Sequence, residues 1–105
     1  LSSDDWAIAY HSRFEDSRAW AAPHPKTVLS TWADKGVNRV ALVTPGFAAD
    51  CLESLYDIAL VAKNYFEERC QANGSKADVT YIPALNSRPD HIDLLFEVIK
   101  RFIQE

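Results

Sequence analysis

The stretch "KGVNRVALVTPGFAADCLESLYDIA", residues 35–59, decides the fold. Val40 to Val43 is an unbroken apolar run, as expected of a strand buried on both sides in a parallel sheet. The spacing predicts a strand over 37–47. Pro45 and Gly46 then suit a tight turn. They do not make a phosphate loop, which needs further glycines and a Lys-Ser/Thr pair. A helix is predicted from about 50 to 70, ended by "QANGSK". Leu52, Leu55, Tyr56, Ala59, Ala62 or Lys63, and Phe66 form its expected inward stripe. The same helix carries three acids, Asp50, Glu53 and Asp57, at offsets 0, +3 and +7. On an α-helix those positions share a face. Like charges so placed repel, so the arrangement needs a reason. One reason is local: Asp50 as N-cap and Glu53 three residues on make a capping pair. Asp57 lies too far into the helix for that role.

The remaining elements follow outward from this unit. "PKTVLSTWADKG", residues 25–36, predicts a helix with Pro25 in its first turn, Val28, Leu29 and Trp32 on one face, and Gly36 ending it. "WAIAYHSRF", 6–14, is β-prone and predicts a strand. "DVTYIPAL", 78–85, predicts another. "NSRPDHIDLLFEVIKRFIQE" predicts a strongly amphipathic last helix, capped by Asn86 or Ser87, with Pro89 in its first turn. Ile92, Leu95, Phe96, Ile99, Phe102 and Ile103 make its stripe, which fits packing on the sheet; a peripheral membrane contact is the other reading. The order is βαβαβα. The expected fold class is therefore α/β, a three-layer parallel sheet with right-handed crossovers and a flavodoxin- or Rossmann-like character. Residues 1–105 read as a single domain.

Composition excludes several classes. The 105 residues carry a net charge of −4, which argues against binding a nucleic-acid backbone. No apolar run approaches the roughly 20 residues of a membrane span. The start, "LSSDDWAIAY", has acids where a signal peptide has bases. Two cysteines without a C-x-x-C pattern fit a reducing, cytoplasmic setting and make no zinc pattern. The first residue is Leu, so the chain reads as a piece of a longer protein.

In an open parallel sheet, ligands bind beyond the C-terminal ends of the strands. Here those ends carry His11, Ser12, Arg13, Trp20, Asp50, Glu53, Asn86 and Arg88. A lone His11 is either a base or ligand, or an ordinary residue; the pattern leaves that open. Trp20 either floors an apolar pocket or packs. No G-x-S-x-G elbow supports a serine hydrolase.

Taken together, "YHSRF", a following Trp, "PGFAADCLESLYDIA" and "YIPALNSRPDHIDLL" resemble the C-terminal half of the ferrochelatase family, whose pattern runs Q-S-R-F-G, W-L-x-P-Y-T, P-G-F-x-x-D-C-L-E-T-L-x-E-I and C-L-N-x-x-P-x-H-I. The resemblance implies a protein that inserts Fe²⁺ into protoporphyrin IX, forming protohaem in the last step of haem biosynthesis. Iron and porphyrin are then substrates, held in a cleft between this part and an N-terminal half of the same protein. It implies that Glu53 is catalytic and that Glu53, Asp57 and Asp50 face the metal. It implies porphyrin contacts from Trp20, His11, Ser12 and Arg13. His11 stands where the family has Gln, Glu15 where it has Gly, and one extra residue precedes Trp20. His24-Pro25 replaces Tyr-Thr. The family's metal-binding His belongs to the other half. Two cysteines are too few for an iron–sulfur cluster on this chain. The alternative is a stand-alone or degenerate relative that binds a tetrapyrrole or metal without catalysis.

Overall fold

The computed structural model describes residues 2–11 and 22–104. Their regular elements begin with α1, Pro25–Asp34, and β1, Arg39–Val43. A long helix follows in two windings: a π-helical part, Glu53–Ala62, and an α-helical part, α2, Lys63–Ala72. Then come β2, Asp78–Ile82, and α3, Pro89–Ile103. The two strands pair in parallel, from Arg39 opposite Asp78 to Val43 opposite Ile82. The chain is thus α/β, with a two-stranded parallel sheet among the described residues.

Local chemistry sets the boundaries. Pro25 opens α1, and the His24 Nδ1 accepts the Lys26 N–H at 3.3 Å as the cap. Gly36 takes φ +91°, which L side chains resist, and its N–H bonds the Ala33 carbonyl while Val37 reaches Trp32. Pro89 opens α3 as expected, but Arg88 precedes it with no side-chain cap. The Asn86 or Ser87 cap is therefore absent; Asn86 is engaged elsewhere.

The core holds Leu29, Ala33, Val40, Ala62, Phe66 and Cys70, with Trp32, Leu42, Ala77 and Val79 packed around it. Along the long helix the buried positions are Ser54, Ile58, Ala62, Phe66 and Cys70, one in four. Four residues overshoot one α-turn but fall short of the wider π-turn. The drift in one half therefore offsets that in the other, and the stripe stays on one face. This corrects the expected stripe: Leu52, Leu55 and Tyr56 are exposed. Asp34 fastens α1 to α2, accepting two hydrogen bonds from Arg69 at 2.8 and 3.0 Å and one from Asn73 at 2.9 Å.

Three other expectations change. Residues 6–11 form no strand, and Trp6, Ile8 and Tyr10 are exposed; residues 12–14 of that prediction lie outside the described residues. β1 is covered on one face only, with Val40 buried and Val43 56% exposed. The stripe of α3 does not pack on the sheet: Ile92, Leu95, Phe96, Ile99, Phe102 and Ile103 are all exposed, and only His91 of this helix is buried. The helix has little to pack against because the described chain offers no second layer on its side.

Phe66 has no exposed surface. Phe66→Ala is expected to lower unfolding free energy by about 3–5 kcal/mol, read from urea denaturation. A loss below about 1 kcal/mol would place the core elsewhere.

Candidate functional site

Both strands end at the same side, at Val43 and Ile82, and the loops that leave them are tied together through Asp50 and Asn86. The Asp50 N–H donates to Asn86 Oδ1 at 2.8 Å, and Asn86 Nδ2 returns a bond to Asp50 Oδ2 at 2.9 Å. The Tyr81 hydroxyl donates to Asp50 Oδ1 at 2.8 Å, and the Thr44 hydroxyl lies 3.1 Å behind it. Ser54 Oγ donates to the same carboxylate at 3.0 Å, and the Ala84 N–H at 3.3 Å. Asn86 sits at φ +52°, a conformation Asn tolerates better than most residues. Its backbone is also used: its N–H reaches the Ala48 carbonyl, and its own carbonyl accepts from His91 Nδ1 at 2.6 Å.

These donors hold the Asp50 carboxyl at a pKa of about 2, with Asn86 the largest cause and Tyr81 next. Asp50 is thus a fixed anion in a clasp. It is not the helix cap: the helix starts at Glu53, behind Leu52, and Ser54 Oγ takes the Cys51 N–H at 2.9 Å. The three-acid helical stripe is corrected accordingly. Two acids, Glu53 and Asp57, lie on the π-helical part, both partly buried, and Asp50 stands before it. Each precedes a buried position, Ser54 or Ile58, so both lie beside the packed face.

His11 reaches this helix from the N-terminal segment. Its Nε2 lies 3.1 Å from Asp57 Oδ2. Its ring centroid is 5.5 Å from that of His24. Ser12, Arg13 and Trp20 lie outside the described residues. Arg88 is engaged locally, with two bonds to Asp90 at 2.8 and 3.0 Å. Among the described residues, no group of three or more His, Cys, Asp and Glu side chains is placed to hold a metal ion. Both cysteines are free thiols; burial pushes that of Cys70 upward. The sequence reading missed Tyr81, Thr44 and Ser54 as supports of Asp50. Tyr81 carries a weak signal, an aromatic hydroxyl near the end of a strand. The His11–Asp57 contact, 46 residues apart, leaves no trace in local periodicity.

The described residues are a parallel α/β unit with a fixed carboxylate, Asp50, beyond its strand ends, the edge at which open α/β sheets as a class bind ligands. Comparison narrows the class. A family model described as Ferrochelatase matches residues 1–102. A ferrochelatase of Acinetobacter baumannii (strain ACICU) is 41% identical over 100 residues, which is 95% of this chain and 28% of that protein. A ferrochelatase of Psychrobacter sp. (strain PRwf-1) is 37% identical over 98% of this chain and 29% of its own length. One of Actinobacillus pleuropneumoniae serotype 3 (strain JL03) is 38% identical over 95% of this chain and 30% of its own length. No solved structure matches. The chain belongs to the ferrochelatase family, and it spans less than a third of the length of these curated relatives.

Because the Asp50 pKa is depressed, its stabilising contribution is full above the ordinary carboxylate value near 3.8 and is lost as pH falls through about 2. Asp34 adds a loss in the same window, with Arg69 as the largest cause. Stability is expected to fall between about pH 4 and 2, and Asp50→Asn to flatten part of that fall. Denaturant midpoints measured across this range check it; identical slopes in both proteins would contradict the clasp.

Proposed function

We propose that this chain is the C-terminal part of a ferrochelatase and supplies the acidic wall of its metal-insertion site. The observation that carries this reading is the family match over residues 1–102. Glu53 and Asp57, both partly buried on the helix that follows β1, support it. In the complete protein, Fe²⁺ and protoporphyrin IX are the substrates. Each insertion releases two pyrrole protons as iron takes their place on the ring nitrogens. Glu53 accepts protons from the porphyrin, and Asp57 continues a carboxylate track that draws in the divalent ion. Oxygen ligands hold such an ion weakly enough to pass it on. Asp50, with its oxygens engaged by four donors, keeps the start of the helix in place.

Ser12, Arg13 and Trp20 are assigned to the porphyrin edge. His11, joined to Asp57, is drawn toward the acids instead. The N-terminal part of the protein supplies the opposite wall of the cleft. Exposed Leu52, Leu55, Tyr56 and Leu60, with the outer face of α3, fit surfaces covered by that remainder. The three-layer βαβαβα order is that of the complete protein, in which further chain extends the two-stranded sheet. No helix of the described residues is long and apolar enough to cross a membrane. Two free cysteines fit a cytoplasmic setting and no iron–sulfur cluster on this chain.

In the full-length protein, Glu53→Gln removes the proton acceptor while keeping its size. The rate of metal insertion is expected to fall by about 10²-fold or more, followed as loss of free-porphyrin fluorescence under anaerobic Fe²⁺. An unchanged rate would remove Glu53 from the mechanism.

A further inference from the structure

Helix α3 leaves its apolar stripe open and buries one polar side chain, His91, at 7% exposure. A polar group costs free energy to bury unless it finds a partner. His91 Nδ1 finds one 2.6 Å away, the backbone carbonyl of Asn86. A carbonyl only accepts hydrogen bonds, so Nδ1 carries the proton and donates it. The first turn of α3 holds the ring in place. The His91 N–H donates to Asp90 Oδ1 at 2.9 Å, and Arg88 grips the same carboxylate with two bonds.

The acceptor is the residue that closes the clasp. Asn86 stands at φ +52°, and a non-glycine residue persists there only where its surroundings over-determine it. Its N–H donates to the Ala48 carbonyl at 3.0 Å. Its side-chain nitrogen donates to Asp50 Oδ2 at 2.9 Å and to the Ala84 carbonyl at 3.0 Å, and its side-chain oxygen accepts the Asp50 N–H at 2.8 Å. All of these lie on the side chain or on the peptide unit before Asn86. Each residue has two soft dihedrals, one toward each neighbouring peptide unit. The bond from His91 fixes the second unit, the one after Asn86.

We propose that His91 is a positioning residue of the metal-insertion site: by holding the Asn86 carbonyl through Nδ1, it keeps the Asn86 amide on Asp50 and so places Glu53 and Asp57. The proposal rests on the ferrochelatase reading for the reaction it serves, but not for the contact itself.

The test uses the full-length protein and three substitutions. His91→Leu and His91→Met fill most of the space without a donor. His91→Asn is smaller, but its amide nitrogen is bonded to Cγ, as Nδ1 is, so it restores a donor at the same place. The first readout is hydrogen exchange at the Asp50 and Asn86 backbone N–H groups, which report the clasp whether or not iron is inserted. Exchange there is expected to quicken about tenfold in the two apolar variants and to stay within about threefold of wild type in His91→Asn. The second readout is anaerobic Fe²⁺ insertion. Its kcat is expected to fall about tenfold in the apolar variants and to recover in His91→Asn, with the KM for porphyrin changed less than about twofold. A wild type that inserts no iron would sink the ferrochelatase reading, and the exchange result would then decide the proposal by itself. Unchanged exchange in the apolar variants overturns it. So does a His91→Asn protein no better than they are, since the ring would then serve only to fill space.

Discussion

The reciprocal hydrogen bonds between Asp50 and Asn86 are the constraint on which the site depends. Parallel strands need long crossovers, so nothing covalent and short joins their C-terminal ends. The loops after β1 and β2 must be fixed to each other by side chains. The Asn86 amide does this in both directions, donating to the Asp50 carboxylate and accepting from the Asp50 backbone N–H, and Tyr81, Ser54 and the Ala84 N–H complete the carboxylate's shell. Bonds to an ionised acceptor are about twice as strong as neutral ones. The start of the π-helical segment is thereby set, and with it Glu53 and Asp57. The anion at position 50 is the anchor, and the acids behind it are what the anchor positions.

Packing tells a complementary story. One face of the sheet is closed by α1 and the long helix around Phe66, which has no solvent exposure. The opposite face, the outer side of the π-helical part and nearly all of α3 stay open. Contiguous apolar surface of that extent marks an interaction face. In the curated relatives the matching region is less than a third of the protein. The acids stand at the margin of the closed and open parts, where a second wall can meet them.

Much of this was legible in the residues. Val40 and its neighbours read as a strand, Pro25 and Gly36 bracketed α1, Pro89 opened α3, and the PGFAADCLESL run identified the family. Other features were not. The winding of the long helix was invisible because a four-residue spacing fits neither α nor π alone, and the apolar Leu52, Leu55 and Tyr56 pointed to the wrong face. Asp50 looked like a helix cap because its partners, Tyr81 and Asn86, lie more than 30 residues away. The N-terminal run 6–14 has strand composition, yet its described part, residues 6–11, forms no strand, because propensity alone does not supply a neighbour to pair with. The apolar stripe of α3 was expected to pack on the sheet, yet it is exposed among the described residues, because periodicity shows an apolar face and not what covers it.

The central claim is that Asp50 and Asn86 act as one unit to place Glu53 and Asp57. A double-mutant cycle measures it most directly: Asp50→Ala, Asn86→Ala and the double variant of the full-length protein, compared by the rate of iron insertion into porphyrin. Each single change is expected to remove most of the activity, and the double variant to be no slower than the slower single one, because either change opens the same clasp. Losses that multiply would mean that the two residues act separately, and would contradict the account.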